Sequence, residues 1–163
     1  MKMDEIWRQA FLKGLRGSFS HPNPFDVLDG IEVETAGKQV EGMPHSIWQI
    51  AWHTSQWAWV IVKRFQGVEV KHETPWNNFF LEESAPPSKE AWQELIQEWK
   101  TLPKEVDKIL QDFKPEITFP EWDNIDAAHL LMVLITHTSY HTAQIMALRR
   151  LLGKWEKTSV NTY

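Results

Sequence analysis

Apolar residues recur every three or four positions in four separate stretches of the chain, which is the spacing of amphipathic helices. The first stretch follows Asp4, a possible N-cap, and weakens at Gly14 and Gly17. The second begins after Ser46, whose hydroxyl can cap a helix, and ends at Gly67. These two stretches predict the first pair of helices.

The third and fourth stretches predict longer helices in the second half of the chain. The third begins after Ser88, and Pro103 should kink or briefly break it, because proline has no amide hydrogen and its ring clashes with the preceding turn. The fourth is expected from about Ile125 to Leu152, where Gly153 closes it.

The segments between these helices are long and rich in proline and glycine, as expected of connections. Residues 21–44 form the first connection, within which Phe25–Leu28 has the pattern of a further short turn of helix. Residues 68–87 suit a packed loop over one end of the molecule. The whole pattern predicts an all-α fold, a four-helix bundle with long connections, as a single domain over residues 1–163.

The composition says little about the fold but excludes several kinds of chemistry. The 163 residues are 42% hydrophobic and 24% charged, which is ordinary for a globular domain. The chain contains no cysteine, so disulfides, thiolate metal ligands and a cysteine nucleophile are excluded. Histidine is therefore left as the expected nitrogen ligand for a metal ion.

Charge and hydropathy argue against two classes of partner. A formal charge of −5, without a basic stripe, disfavours nucleic acid, which is bound mainly through clustered lysine and arginine. The chain lacks the apolar run of about eighteen residues that a membrane-spanning helix needs, and its first residues do not resemble a signal peptide. A cytoplasmic location without membrane or nucleic-acid partners is expected.

Three histidines have the pattern of a metal site. His137 and His141 are four residues apart, so they lie one turn apart on the inward face of the fourth helix. His53 lies on the inward stripe of the second helix. Three imidazoles meeting inside a bundle could hold Zn, Ni or Fe at about 2.0–2.1 Å and leave a coordination position open.

Several alternatives bear on this site. A histidine pair at this spacing also occurs by chance, and the three side chains could pack without an ion. The segment HTSYH has the spacing of the zincin motif, but Thr138 stands where its glutamate would be, which argues against a protease of that type. The predicted helices also lack the Glu-x-x-His pairs of di-iron bundles, so a mononuclear site is expected.

Several other polar and aromatic residues could contribute to a site at these histidines. Trp57 is expected near the metal, and Gln144 either orients a ligand or a metal-bound water or packs on the helix face. Tyr140 is a weaker candidate for a general acid, and the sequence offers no clear carboxylate base. His45 is expected to cap the second helix or approach the pocket, and His129 to lie too far away.

The remaining histidines and the tryptophans have simpler interpretations. His21 and His72 fall in predicted loops, where they are expected to be solvated. The ten tryptophans could line a substrate cleft, but core filling between the helices is the favoured interpretation.

The segments PHSIWQIAWHTSQW and HTSYHTAQI resemble the DinB family, which includes the YfiT-like proteins. The most specific part is the histidine one turn before Trp57, combined with His-x-x-x-His followed by Gln144. The resemblance implies a four-helix bundle, a homodimer and a divalent metal held by His53, His137 and His141. Some members of the family are thiol-dependent S-transferases that use bacillithiol or mycothiol, one is a mycothiol-dependent isomerase, and many have no assigned activity.

Two functional hypotheses follow. In the first, the chain is a metal-dependent enzyme whose ion activates a small thiol or water against a small-molecule substrate, as an S-transferase or a hydrolase would. In the second, it is a non-enzymatic dimeric bundle with a structural or sensing metal. In either case the metal should leave as the pH falls through about 6, since ligating imidazoles must be neutral.

Overall fold

A computed structural model describes residues 5–18, 20–68, 70 and 79–155; the predicted cap Asp4 and the predicted loop residue His72 lie outside these ranges. The helices are α1 (Glu5–Leu15), α2 (Val33–Ala36), α3 (Ile47–Phe65), α4 (Lys89–Gln111) and α5 (Ala127–Leu151). The long helices form the bundle, with α3 between α4 and α5, and α1 packed on the other side of the same two helices. The predicted all-α four-helix bundle is confirmed. Among the described helices, none is both long enough and apolar enough to cross a bilayer.

The ends of the helices follow from local sequence signals. Ser46 and Gln49 form a capping box at the start of α3, in which each side chain binds the other residue's backbone amide. At the start of α4, the Ser88 hydroxyl accepts a hydrogen bond from the amide of Ala91 at 3.1 Å. Gly67 and Gly153 follow α3 and α5 with φ of 74° and 66°, a left-handed conformation that favours glycine.

Helix α4 continues without a break through Pro103, so the break predicted at this residue is wrong. Proline removes one backbone hydrogen bond from the helix interior. Apolar side chains on both sides of it, including Leu102 and Val106, are buried in the core and hold the helix in place. Packing along the whole helix therefore outweighs the local defect.

The start of α5 also differs from the prediction. Ile125 does not belong to the helix: residues 125–126 form a short strand, β2 (Ile125–Asp126), antiparallel to β1 (Thr118–Phe119). Asp126 caps α5 by accepting a hydrogen bond from the amide of His129 at 2.7 Å. Strands of two residues carry no detectable alternation, so the hydrophobic pattern could not reveal them.

Two buried tryptophans of α4 fasten the first connection to the bundle. The indole N–H groups of Trp92 and Trp99 donate hydrogen bonds to the carbonyl oxygens of Ile31 and Pro24, both at 2.8 Å. The connection contains a 3-10 turn at Pro24–Asp26, close to the predicted turn, and the short helix α2, which was not predicted. Core filling is confirmed for Trp92 and Trp99.

Candidate metal centre

The three histidines singled out in the sequence meet at one point between α3 and α5. The Nε2 atom of His137 lies 3.1 Å from Nε2 of His53 and 3.1 Å from Nε2 of His141. The candidate ligand atoms of all three residues lie within 4.8 Å of one another, so this group could hold a metal ion. The structure thus brings together side chains that are 84 residues apart in the chain.

Helix geometry explains why these side chains converge. His137 and His141 are one turn apart on α5, and α3 packs along the same face of α5 and brings His53 opposite them. The side chains of His53 and His141 are only 7% and 5% exposed, whereas His137 is half-buried. The cluster is therefore closed on the side of the core and approachable beside His137.

Hydrogen bonds fix the orientation of two of the three rings. The Nδ1–H group of His53 donates to the carbonyl oxygen of Phe79 at 2.7 Å. The Nδ1–H group of His141 donates to Oε1 of Gln144, also at 2.7 Å. In a neutral imidazole the other nitrogen then carries a lone pair, so both Nε2 atoms present lone pairs to the centre of the cluster. Gln144 orients the His141 ring in the way that the sequence suggested.

Two of the three separations between the ring nitrogens fit a single metal ion. Two nitrogens each about 2.05 Å from one ion lie about 2.9 Å apart at a right angle and about 3.3 Å apart at the tetrahedral angle. The two separations of 3.1 Å fall between these values. A proton on Nε2 of His137 can fully bridge only one of the two separations, whereas a cation satisfies all the lone pairs together. The donor set and these two separations therefore suit a divalent ion.

Burial keeps these imidazoles neutral. Removal from water lowers the pKa of His137 to about 3, and the neighbouring His141 and His53 lower it in the same direction. Burial also lowers the pKa of His141 to about 4, although its hydrogen bond with Gln144 acts in the opposite direction. The pKa of His53 is lowered for the same reason. Neutral imidazole is the form that binds metals.

A loop before α4 supplies contacts that sequence analysis missed. The ring of Phe80 stacks on His53 with centroids 4.0 Å apart, and on its other face His45 stacks at 3.8 Å. Gln49 donates a hydrogen bond to the carbonyl oxygen of Leu81 at 2.6 Å, which ties this loop to the start of α3. The Ser-x-x-Gln spacing of the capping box was the available signal, but it does not indicate which loop the glutamine holds.

The structure also places the other residues considered in the sequence. Trp57 lies next to the site as predicted, with its ring centroid 6.2 Å from that of His137. His129 is exposed and outside the cluster, also as predicted. His45 stacks on Phe80 next to the site, and Ser46, not His45, caps α3.

Tyr140 lies at the approachable side of the cluster. Its side chain is 62% exposed, and its ring packs edge-on against His141 with centroids 5.0 Å apart. Its hydroxyl accepts a hydrogen bond from Nε2 of Gln144 at 3.3 Å, the same glutamine that orients His141. The sequence made Tyr140 only a weaker candidate for a general acid, and that role stays a prediction.

His21 does not behave as the solvated loop residue that was predicted. It is half-buried, and its Nδ1–H group donates to the carbonyl oxygen of Pro22 at 2.8 Å. The hydroxyl of Ser139 on α5 then donates to its Nε2 atom, also at 2.8 Å. The pair joins the segment after α1 to α5, a contact over 118 residues that local sequence cannot reveal.

The metal-free protein is expected to lose stability as the pH falls from about 6.5 towards 4. In this range the unfolded chain, with imidazole pKa values near 6.5, binds more protons than the folded chain, in which burial lowers the pKa of His141 to about 4 and of His137 to about 3. The stability that depends on these neutral imidazoles is fully present above pH 6.5. Urea denaturation at several pH values should show that the midpoint falls with the pH, and that it falls less steeply in His141→Gln. An equally steep fall in both proteins would contradict the depressed pKa values.

Comparisons with known proteins add a family and nothing more specific. A sequence model of the DinB superfamily matches residues 25–145, which is well over half of the chain and includes all three clustered histidines. Neither the curated proteins nor the solved structures contain a match.

Proposed function

Because this chain belongs to the DinB superfamily and three of its imidazoles converge, we propose that it is a metal-dependent enzyme acting on a small-molecule substrate. His53, His137 and His141 would hold the ion. The observation that carries the proposal is the pair of 3.1 Å separations between their Nε2 atoms. Hydrogen bonds at Nδ1 of two of these rings support it, since metal-binding histidines commonly donate their second N–H to an oxygen.

The donor set favours Zn, Ni or Fe, because imidazole nitrogen suits these ions better than Mg or Ca. An ion with three protein ligands would supply Lewis-acid activation, lowering the pKa of a small thiol or water that reaches it. The chain has no cysteine, so a thiol would have to come from solution. With a thiol as the nucleophile, the reaction would be transfer of the thiol to an electrophilic carbon of the substrate. With water as the nucleophile, it would be hydrolysis.

The side chains around the cluster have different roles in this proposal. The hydrogen bonds to Phe79 and Gln144 hold the rings of His53 and His141 in one tautomer. Phe80 covers one face of His53 and keeps water from it. The half-buried His137 and the exposed Tyr140 mark the side from which a substrate would arrive. An approachable side favours a catalytic site over a closed structural one.

Cobalt(II) substitution tests the proposal, because cobalt reports its ligands in its visible and near-ultraviolet spectrum. Metal-free protein should bind one cobalt ion per chain, and a small thiol such as 2-mercaptoethanol should add a thiolate charge-transfer band if a coordination position is open. Azide is the corresponding probe for a position that takes water. A cobalt spectrum that neither thiol nor azide alters would contradict the enzyme and favour a structural or sensing metal.

Replacing the side chain that orients His141 should weaken metal binding without abolishing it. Gln144→Leu removes the acceptor at 2.7 Å from Nδ1, and loss of such a partner typically costs about 10–100-fold in metal affinity. Competition with a chromophoric chelator measures the change. Gln144→Glu keeps an oxygen acceptor at the same position and should retain the affinity; equal losses in both variants would show that Gln144 acts only by packing.

A further inference from the structure

A groove with aromatic walls lies beside the histidine cluster, between α3, α5 and the 3-10 turn at Pro120–Trp122. Its volume is about 290 Å³, and it is open to solvent. All but one of its lining residues are apolar: Trp57, Ile61, Trp122, Ile125, Leu130 and Val133. For comparison, an apolar cavity of about 150 Å³ is enough to hold benzene.

The groove continues the histidine cluster along the same two helices. On α3, Trp57 follows His53 by one turn and Ile61 follows by two; on α5, Val133 precedes His137 by one turn. One turn of four residues advances about 6 Å along a helix. Trp57 belongs to both places, because it lines the groove and its ring centroid is 6.2 Å from that of His137. A group of about this length, attached to a molecule at the histidines, could therefore reach the groove.

The walls of the groove select for a flat apolar group. The rings of Trp57 and Trp122 have centroids 6.2 Å apart and meet at 59°, so they form a corner against which a third ring can pack. After Trp122 the backbone turns through Asp123 and Asn124, whose φ values of 52° and 58° lie in the left-handed region. Such paired conformations persist only where the surroundings hold them, and here they position Trp122.

Charges of both signs lie beside the groove. Asp123 lines the groove and is exposed. The guanidinium of Arg64 lies 5.7 Å from the centroid of the Trp122 ring. The two charges oppose each other, so the apolar walls and not the charge at the rim determine which substituent fits.

We infer that this groove binds the ring-sized apolar substituent of a substrate whose reacting group lies at the three histidines. The inference rests on the proposed function for the position of the reacting group. It assigns the groove to the electrophilic substrate, because Trp57 and Val133 extend away from the histidines by the length of a benzyl group. Val133 and Trp122 then act as residues that determine specificity.

Two hydroxamates that differ by one phenyl ring test the inference on zinc-loaded protein. Acetohydroxamate can bind the ion alone, whereas phenylacetohydroxamate also carries a ring that can enter the groove. Calorimetry should show the phenyl compound binding at least about tenfold more tightly, from burial of the ring. Val133→Trp fills the groove and should remove this advantage while leaving acetohydroxamate unchanged. Met132→Trp is the matched control. Met132 is next to Val133 in the chain, but its side chain is 47% exposed and does not line the groove.

A second arm needs no metal. In metal-free protein labelled with ¹⁵N-tryptophan, benzyl alcohol should shift the indole signals of Trp57 and Trp122, which Trp→Phe variants identify. The shifts should disappear in Val133→Trp and persist in Met132→Trp.

The outcomes separate the two proposals. Equal affinities for the two hydroxamates, or indole signals that benzyl alcohol leaves unmoved, would overturn the groove while the metal site stands. If neither hydroxamate binds but benzyl alcohol shifts both indoles, the groove is supported and the open metal position fails.

Discussion

His137→Ala is expected to lower metal affinity by more than about 100-fold, the largest effect foreseen for any single substitution at the site. Losing a partner of a ligand costs about 10–100-fold, and losing the ligand itself should cost more. His137 is the central member, since its Nε2 atom lies 3.1 Å from the corresponding atoms of both His53 and His141. Protein purified without a histidine tag should contain about one ion per chain by elemental analysis, and the variant almost none.

His129→Ala provides the control on the same helix. His129 is exposed and lies outside the cluster, so its removal should leave the metal content unchanged. The far-ultraviolet circular dichroism of metal-free His137→Ala should match that of the metal-free parent, because the half-buried ring contributes little to the core. If the metal content of His137→Ala equals that of the parent, the three histidines do not form the site.

The pH at which the ion leaves should be lower than the sequence alone suggested. A free imidazole has a pKa near 6.5, which placed the expected release at about 6. Burial lowers the pKa of His137 to about 3 and that of His141 to about 4, so protons compete for the folded site only under more acidic conditions.

The helices and the histidine cluster could be predicted because both depend on short-range periodicity. Four-residue spacing places His137 and His141 on one face whatever the rest of the chain does. His53 could be placed opposite them because it shares the inward stripe of its own helix. In a bundle of packed amphipathic helices the inward faces meet, so inward histidines on two neighbouring helices are expected to lie close together.

The partners of the cluster could not be predicted, because they come from segments without periodicity. The carbonyl oxygen of Phe79, which orients His53, lies 26 residues further along the chain, in a loop. The hydrogen bond between His21 and Ser139 joins residues that are even further apart in the chain, by 118 positions. The groove beside Trp57 depends on a left-handed turn at Asp123. Aspartate tolerates this conformation, but its presence in a sequence does not predict it.

Trp99→Ala is expected to lower the free energy of unfolding by about 3–5 kcal/mol, the usual cost of truncating a buried tryptophan. The side chain is 1% exposed, and its ring centroid lies 5.6 Å from that of Phe25. Its indole N–H also donates to the carbonyl oxygen of Pro24 at 2.8 Å. A domain is typically stable by about 5–15 kcal/mol, so the loss is a large part of the total. Urea denaturation of the metal-free protein at pH 7.5 measures it.

Trp99→Phe keeps an aromatic ring, although a smaller one, and cannot donate to Pro24. It should cost about 1–3 kcal/mol for the buried carbonyl oxygen left without its donor, plus the cost of the cavity beside the smaller ring. Trp7→Ala is the surface control, because that side chain is 62% exposed and should cost under about 1 kcal/mol. Since α3 and α5 hold the histidines without Trp99, both Trp99 variants should still bind one ion per chain in native buffer. Loss of the ion together with stability would mean that the first connection, not the α3 and α5 pair alone, maintains the cluster.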